Sequence, residues 1–167
     1  MEWSDHGIDC ATSRLFAAHA VWCVSEGETL IPLVAFQGPG DERKMHRFAA
    51  ELIEDGVAQG KDWLARNPES ASRGVLVYDG FVTLPTGKTD ALIIETMQYD
   101  PEPRGFTMAV PYRHAGSPQG FAVYRPKFMG FEGPQPDFDR LGDAFFRGVD
   151  EHEKGAAVWT AHLDQSQ

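Results

Sequence analysis

Residues 73–95, RGVLVYDGFVTLPTGKTDALIIE, constrain the fold more than any other part of the chain. Two apolar segments, 74–84 and 89–97, flank residues 85–88 (Pro-Thr-Gly-Lys). Proline presets φ and glycine accepts positive φ, so these four residues predict a tight turn. Because the flanking segments are apolar at successive positions, they predict strands that are buried on both faces. The run therefore predicts a central antiparallel hairpin.

The rest of the chain alternates between helical and β patterns. Helices are predicted over residues 12–24 and 41–66, and a last helix is predicted from Asp137 to Gly155. Residues 18–24 and 156–163 are compatible with helix or strand, and both alternatives stay open. Further strands are predicted over three segments, which are residues 30–36, 106–112 and 121–128.

This order of elements predicts an α+β fold. We expect a mainly antiparallel sheet of about five strands, built around the central hairpin 74–97 and packed against two or three helices. The chain has 167 residues and no linker or internal repeat, which indicates a single globular domain over residues 1–167. A hydrophobic fraction of 42% and a charged fraction of 24% argue against a disordered protein.

Two local patterns limit how the first half of the chain can fold. Pro32 restricts the first strand to an edge of the sheet or to a strand start. In the helix predicted over residues 41–66, apolar residues recur at spacings of three and four, and Asn67-Pro68 is expected to end it. Gly56 and Gly60 either weaken its later turns, by about 1 kcal/mol each, or allow close packing on the sheet.

Charge and leader sequence narrow the class of protein. The formal net charge is −10, which is the wrong sign for binding a nucleic-acid backbone and favours a basic partner. The N-terminus lacks a basic leader followed by an apolar stretch, and the longest apolar segment, residues 29–36, is too short to cross a bilayer. Two cysteines without a signal sequence predict free thiols in a reducing compartment. We expect a cytoplasmic protein that binds neither nucleic acid nor membrane.

The best-spaced set of metal-ligand residues lies near the N-terminus. It consists of His6, Cys10, His19 and Cys23, and two His with two Cys make a tetrahedral zinc set. The i, i+4 spacing brings His19 and Cys23 together in a helix but separates them by about 13 Å in a strand. A Cys–His nucleophilic pair is a second reading of these residues. Core packing of a small apolar thiol is the interpretation that we favour, with no metal.

The central hairpin carries carboxylates, which proteins rarely bury without a partner. If Leu84 pairs with Thr89, then Tyr78 lies opposite Glu95 on one face, and Asp79 points to the other face. Asp79 and Glu95 are then not a paired acid and base. For Asp79-Gly80, a β-bulge is the favoured interpretation.

A cationic segment follows the hairpin. Arginine beside tyrosine on a sheet can hold a carboxylate or phosphate, while the ring stacks on a flat group. The alternative is structural, with the arginines pairing to acids of the last predicted helix, such as Asp139, Asp143 or Asp150. If a ligand pocket exists, we expect it around seven residues, which are Tyr78, Glu95, Tyr112, Arg113, His114, Tyr124 and Arg125.

No sequence motif for catalysis or for phosphate binding is present, and none implies a cofactor. Our leading hypothesis is a non-enzymatic, acidic, soluble domain that acts by protein–protein interaction, as an accessory or immunity-type module. The alternative is a small-molecule binding protein or enzyme, with an anion-recognising pocket around residues 112–125. A homodimer formed through an exposed strand edge is a third hypothesis.

Overall fold

A computed structural model describes residues 17–40, 42–100, 103–133 and 153–164 of the protein. Its helices are residues 17–25 (α1), Ile53–Arg66 (α2) and Glu153–His162 (α3). Its strands are Leu33–Gln37 (β1), Arg43–Arg47 (β2), Arg73–Leu84 (β3), Gly87–Gln98 (β4), Arg104–Arg113 (β5), Ala122–Val123 (β6) and Lys127–Glu132 (β7).

The predicted α+β fold with an antiparallel sheet is confirmed. Strands lie in the order β2-β1-β3-β4-β5-β6, and β7 also pairs with β5, so the described residues form a seven-stranded sheet rather than one of about five strands. All strand pairs are antiparallel. The two additional strands arise from β2 and from the division of the last predicted strand into β6 and β7.

The central hairpin is also confirmed, but its turn is shorter than predicted. Leu84 pairs with Gly87 rather than with Thr89, so residues 85–86 make the whole turn. Gly87 has a φ of +116°, which glycine adopts at little cost. The ladder then continues without a register shift past Asp79, so the β-bulge interpretation was wrong.

Strand pleating divides the sheet into two buried faces. The first, which we call the α1 face, carries Val75 and Val77 and packs against α1 and against Trp159 of α3. The second, the α2 face, carries Leu76 and packs against Leu64 of α2. Successive positions in the middle of β3 and β4 are buried, as expected for strands covered on both sides.

The helix predicted from Asp41 begins twelve residues later than expected, at Ile53. Residues 43–47 form β2, because backbone hydrogen bonds of Gly38 to Glu42 and of Phe48 to Pro32 hold this segment against β1. Cross-strand pairing therefore overrides the helical spacing of the apolar residues. The helix ends before Asn67, as predicted, and Asn67 adopts the left-handed conformation.

Prolines explain two further differences in the strands. Pro32 immediately precedes β1, so it marks a strand start, while β1 itself lies between β2 and β3 and is not an edge. The strand predicted over residues 121–128 was wrong as a single element. Pro126, which has no N–H, lies between β6 and β7, and these pair with different parts of β5.

Helices α1 and α3 resolve the two open alternatives in favour of helix, for residues 18–24 and for 156–162. Gly155 does not end a helix, because it lies inside α3. A Cβ at this position would come within 2.4 Å of the Ala18 carbonyl oxygen, so glycine lets α3 approach the backbone of α1. Residues 137–152 of the last predicted helix and residues 12–16 of the first lie outside the described residues.

The glycines of α2 give the first prediction. A Cβ at Gly56 would meet the Phe48 carbonyl oxygen at 2.3 Å, and backbone cannot move aside cheaply. Gly56→Ala should therefore lower the free energy of unfolding by about 1–3 kcal/mol, although alanine is the better helix former. Urea denaturation measures the change, with Gln59→Ala on the exposed side of α2 as the control. A more stable Gly56→Ala variant would contradict this packing.

Candidate functional site

The seven predicted site residues do not form one site, because strand pleating divides them. In the observed register Glu95 lies opposite Leu76, two residues from the position that we expected. A shift of two residues keeps each side chain on its face, so Tyr78 and Glu95 still share the α2 face. Tyr112 lies on the α1 face with Asp79.

Tyr112 and Asp79 form a polar contact at the end of the α1 face. The Tyr112 hydroxyl lies 2.9 Å from both carboxylate oxygens of Asp79 and donates to them. Burial raises the pKa of Asp79, and Asp90 raises it further, whereas the Tyr112 hydroxyl and His114 oppose the shift. The same burial, with the Asp79 charge, raises the pKa of Tyr112. The tyrosine hydroxyl thus supplies the partner that a half-buried carboxylate needs.

Arg113, at the end of β5, and His114, directly after it, hydrogen-bond to the backbone of the loop that follows. The Arg113 guanidinium donates to the Gly120 carbonyl at 2.8 Å and to the Gln119 carbonyl at 3.3 Å. Nδ1 of His114 accepts a hydrogen bond from the Gly116 N–H at 3.0 Å. Arg113 is therefore occupied by backbone carbonyls. Of the other two predicted residues, Tyr124 is buried and Arg125 is exposed.

Glu95 lies at the centre of a polar cluster on the α2 face. Its Oε2 is buried, has no hydrogen-bond partner among the described residues, and lies 3.8 Å from Nζ of Lys61. The Lys61 ammonium also lies 5.4 Å from the centre of the Tyr78 ring. Burial raises the pKa of Tyr78, and so does the Glu95 carboxylate, which accepts a hydrogen bond from the Tyr78 hydroxyl.

A groove of about 580 Å³ opens beside this cluster, between α2 and strands β4, β5 and β7. This volume lies within the range of small-molecule sites, and such sites combine apolar walls with a few polar groups. The charged residues of its lining are Lys61, Glu95 and Glu132. Its apolar walls include Leu64, Met97, Pro103, Phe106 and Phe131.

Sequence reasoning found Glu95 but missed the other groups of the groove. Lys61 precedes Leu64 by three residues on α2, so the two share one side of the helix. That spacing is a sequence signal for a cation at the edge of an apolar contact. Phe131 gives no comparable signal, because it reaches the groove through the pairing of β7 with β5.

Two residues of the alternative metal set come together on α1. His19 Nε2 lies 3.7 Å from Cys23 Sγ, as a helical i, i+4 spacing predicts. His6 and Cys10 lie outside the described residues, so the four-residue set stays an untested alternative to core packing. Within the described ranges, no group of three or more His, Cys, Asp or Glu side chains is arranged to hold a metal ion.

Comparison of the chain with protein-family models, with curated proteins and with solved structures finds no match in any of the three. None of the helices in the described ranges is both long enough and apolar enough to cross a bilayer.

The Tyr112–Asp79 contact gives a second prediction. Tyr112→Phe removes a donor to a charged group, which should lower the free energy of unfolding by about 1.5–3 kcal/mol at pH 7. The folded-state pKa of Asp79 already lies above its unfolded value, so stability falls as pH rises between the two values. Loss of the Tyr112 hydroxyl raises the folded-state pKa of Asp79 further, so the variant loses stability over a wider pH range. The difference in free energy of unfolding between the variant and the original protein should shrink towards pH 4, where Asp79 is protonated in the folded state.

A double-mutant cycle tests this contact. Urea denaturation is measured for the original protein, for Tyr112→Phe, for Asp79→Asn and for the double variant. In the Asp79→Asn background, where no charge remains to be stabilised, Tyr112→Phe should cost less than it does beside Asp79. An equal cost in both backgrounds would mean that the hydroxyl does not act through the charge of Asp79.

Cys23 gives a third prediction. Burial raises the pKa of its thiol, Glu28 and Glu26 add to the rise, and Arg47 opposes it. Thiolates are the reactive form, so Cys23 should alkylate more slowly than a free thiol such as glutathione at pH 7.5. Iodoacetamide kinetics on a Cys10→Ser variant isolate this thiol. Faster reaction than glutathione would instead favour the Cys–His nucleophilic pair.

Proposed function

We propose that the protein binds a small molecule with an apolar body and a cationic or hydrogen-bond-donating head group in the groove beside Glu95. The observation that carries the proposal is a buried carboxylate oxygen, without a hydrogen-bond donor among the described residues, in the wall of an apolar groove. A buried acceptor without a donor costs free energy, and a ligand donor would remove that cost.

The charges of the groove select the kind of head group. Among the described residues, the lining of the groove holds two carboxylates, of Glu95 and Glu132, and one ammonium, of Lys61. Lys61 lies 3.8 Å from Glu95 with about half of its side chain exposed, so this ion pair contributes little and can rearrange. The groove therefore favours a cation or a neutral donor over an anion. This differs in position and in charge from the anion-recognising pocket that the sequence suggested around residues 112–125.

The apolar walls select the body of the ligand. The groove offers the aliphatic side chain of Leu64, the sulfur atom of Met97 and the aromatic ring of Phe131. Met97 adapts to ligand shape because its side chain is unbranched. A flat or branched apolar group of about ten to fifteen non-hydrogen atoms suits a groove of this volume.

Two probes of matched shape test this preference. We expect 1-naphthylmethylamine to bind at least about tenfold more tightly than 1-naphthoic acid, because the acid meets a carboxylate where the amine meets its counter-ion. Titration monitored by ¹H–¹⁵N NMR gives the dissociation constants, and the shifted amides should include those of Glu95 and Thr107. Equal affinities, or shifts confined to other surfaces, would overturn the proposal.

Substitutions in and near the groove identify the residues that bind the probes. Ala65→Trp should block binding of both probes, because Ala65 lines the groove and its exposed position tolerates a larger side chain. Ala58→Trp, exposed on the same helix but outside the groove, is the matched control and should leave binding unchanged. Glu95→Gln should weaken the amine by about tenfold while leaving neutral 1-methylnaphthalene unaffected.

The other expectations from the sequence stay predictions. They are a cytoplasmic location, a non-enzymatic role and a protein partner, and the test of the last is recovery of one defined protein in a pull-down at low and moderate salt.

A further inference from the structure

Strand β2 forms one edge of the sheet. It pairs with β1, and within the described ranges no second strand lies against it. All five of its residues, Arg-Lys-Met-His-Arg, are exposed. Three permanent cations in five residues contrast with a chain whose formal net charge is −10.

The register of the β1–β2 pair shows which backbone groups of this edge point outward. Gly38 N–H donates to the Glu42 carbonyl, and Phe48 N–H donates to the Pro32 carbonyl, each at 2.8 Å. Hydrogen-bonded and non-hydrogen-bonded pairs alternate in an antiparallel ladder, so the even-numbered residues from 42 to 48 face β1. The N–H and C=O groups of Arg43, Met45 and Arg47 therefore point away from the sheet.

The same three residues share one side of the sheet, because side chains at i and i+2 do. Arg43 and Arg47 flank Met45, which is 42% exposed. An added strand would place three of its own side chains opposite them. The complementary pattern on that strand is acid, apolar, acid at positions i, i+2 and i+4.

We propose that β2 binds an extended acidic segment of another protein, which adds to the sheet as a further strand. Outward backbone groups at alternate residues supply the hydrogen bonds, and the two arginines select the acid-apolar-acid pattern. This site is separate from the groove and does not depend on it.

A second copy of this chain fits the edge less well. Antiparallel pairing of two β2 strands about Met45 would set Arg43 of each copy opposite Arg47 of the other, and like charges directly opposite are destabilising. The charges at the edge also serve to prevent such association. An acidic segment would instead place carboxylates opposite Arg43 and Arg47, and these opposite charges attract.

The probe is a fluorescein-labelled nine-residue peptide with glutamate at positions 3 and 7, valine at position 5 and threonine elsewhere. Fluorescence anisotropy should show binding at least about tenfold tighter than for the same peptide with lysine at positions 3 and 7. N-methylation at position 5 removes a donor to the edge and should abolish most binding, whereas N-methylation at position 4, which faces away, should be tolerated. Equal effects of the two methylations would exclude strand addition.

Substitutions in β2 test the same proposal by changing the protein instead of the peptide. Met45→Pro removes an outward N–H that the β1–β2 ladder does not use, so it should weaken the peptide by at least about tenfold while Met45→Ala changes binding much less. Should the proline variant fail to fold, Arg43→Glu with Arg47→Glu keeps the backbone and should reverse the preference from the glutamate to the lysine peptide. Unchanged preference would overturn the proposal, as would a concentration-dependent dimer that Met45→Pro dissociates.

Discussion

Burial of β3 and β4 on both faces is the constraint on which the rest of this structure depends. A strand covered on one side leaves its other side free, but here α1 and α3 cover one face of the sheet and α2 covers the other. Strand pleating then decides which side chains can meet at all. Asp79 contacts Tyr112 because both are on the α1 face, and Tyr78 contacts Glu95 because both are on the α2 face. A one-residue slip of β3 would exchange the faces of Tyr78 and Asp79 and break both contacts.

Local signals predicted the parts of the fold whose causes are local. The hairpin follows from two apolar runs around Pro85 and Gly87, and the end of α2 follows from Asn67, whose side chain also hydrogen-bonds the Ala71 backbone. β2 could not be read in this way. Its segment carries a helical spacing of apolar residues, and what decides its conformation is a ladder of hydrogen bonds to β1, a partner that no local pattern specifies.

Less of the candidate site than of the fold could be predicted from the sequence. Face assignments survive an error of two residues in register, which explains why Tyr78 and Glu95 were placed together correctly. The groove itself depends on where α2 and β7 end up relative to β4 and β5. Glu95 and Lys61 are thirty-four positions apart, and Phe131 reaches the groove through a strand pair with a register shift between Thr107 and Met108. Contacts of this range have no signature in a single sequence.

The net charge of the chain and the local charge of β2 favour partners of opposite sign, for a physical reason. At physiological ionic strength, charges more than about 8–10 Å apart are largely screened, so a group on the surface responds to its neighbours rather than to the whole chain. The permanently charged residues of β2 are Arg43, Lys44 and Arg47, and the carboxylate of Glu42, just before the strand, lies 3.7 Å from the Lys44 ammonium. The formal charge of −10 governs solubility and long-range encounter, whereas these four residues govern what can dock. An acidic protein can therefore present a basic edge, and the acidic segment that we propose for β2 is chosen by the charge of that edge rather than by the charge of the whole chain.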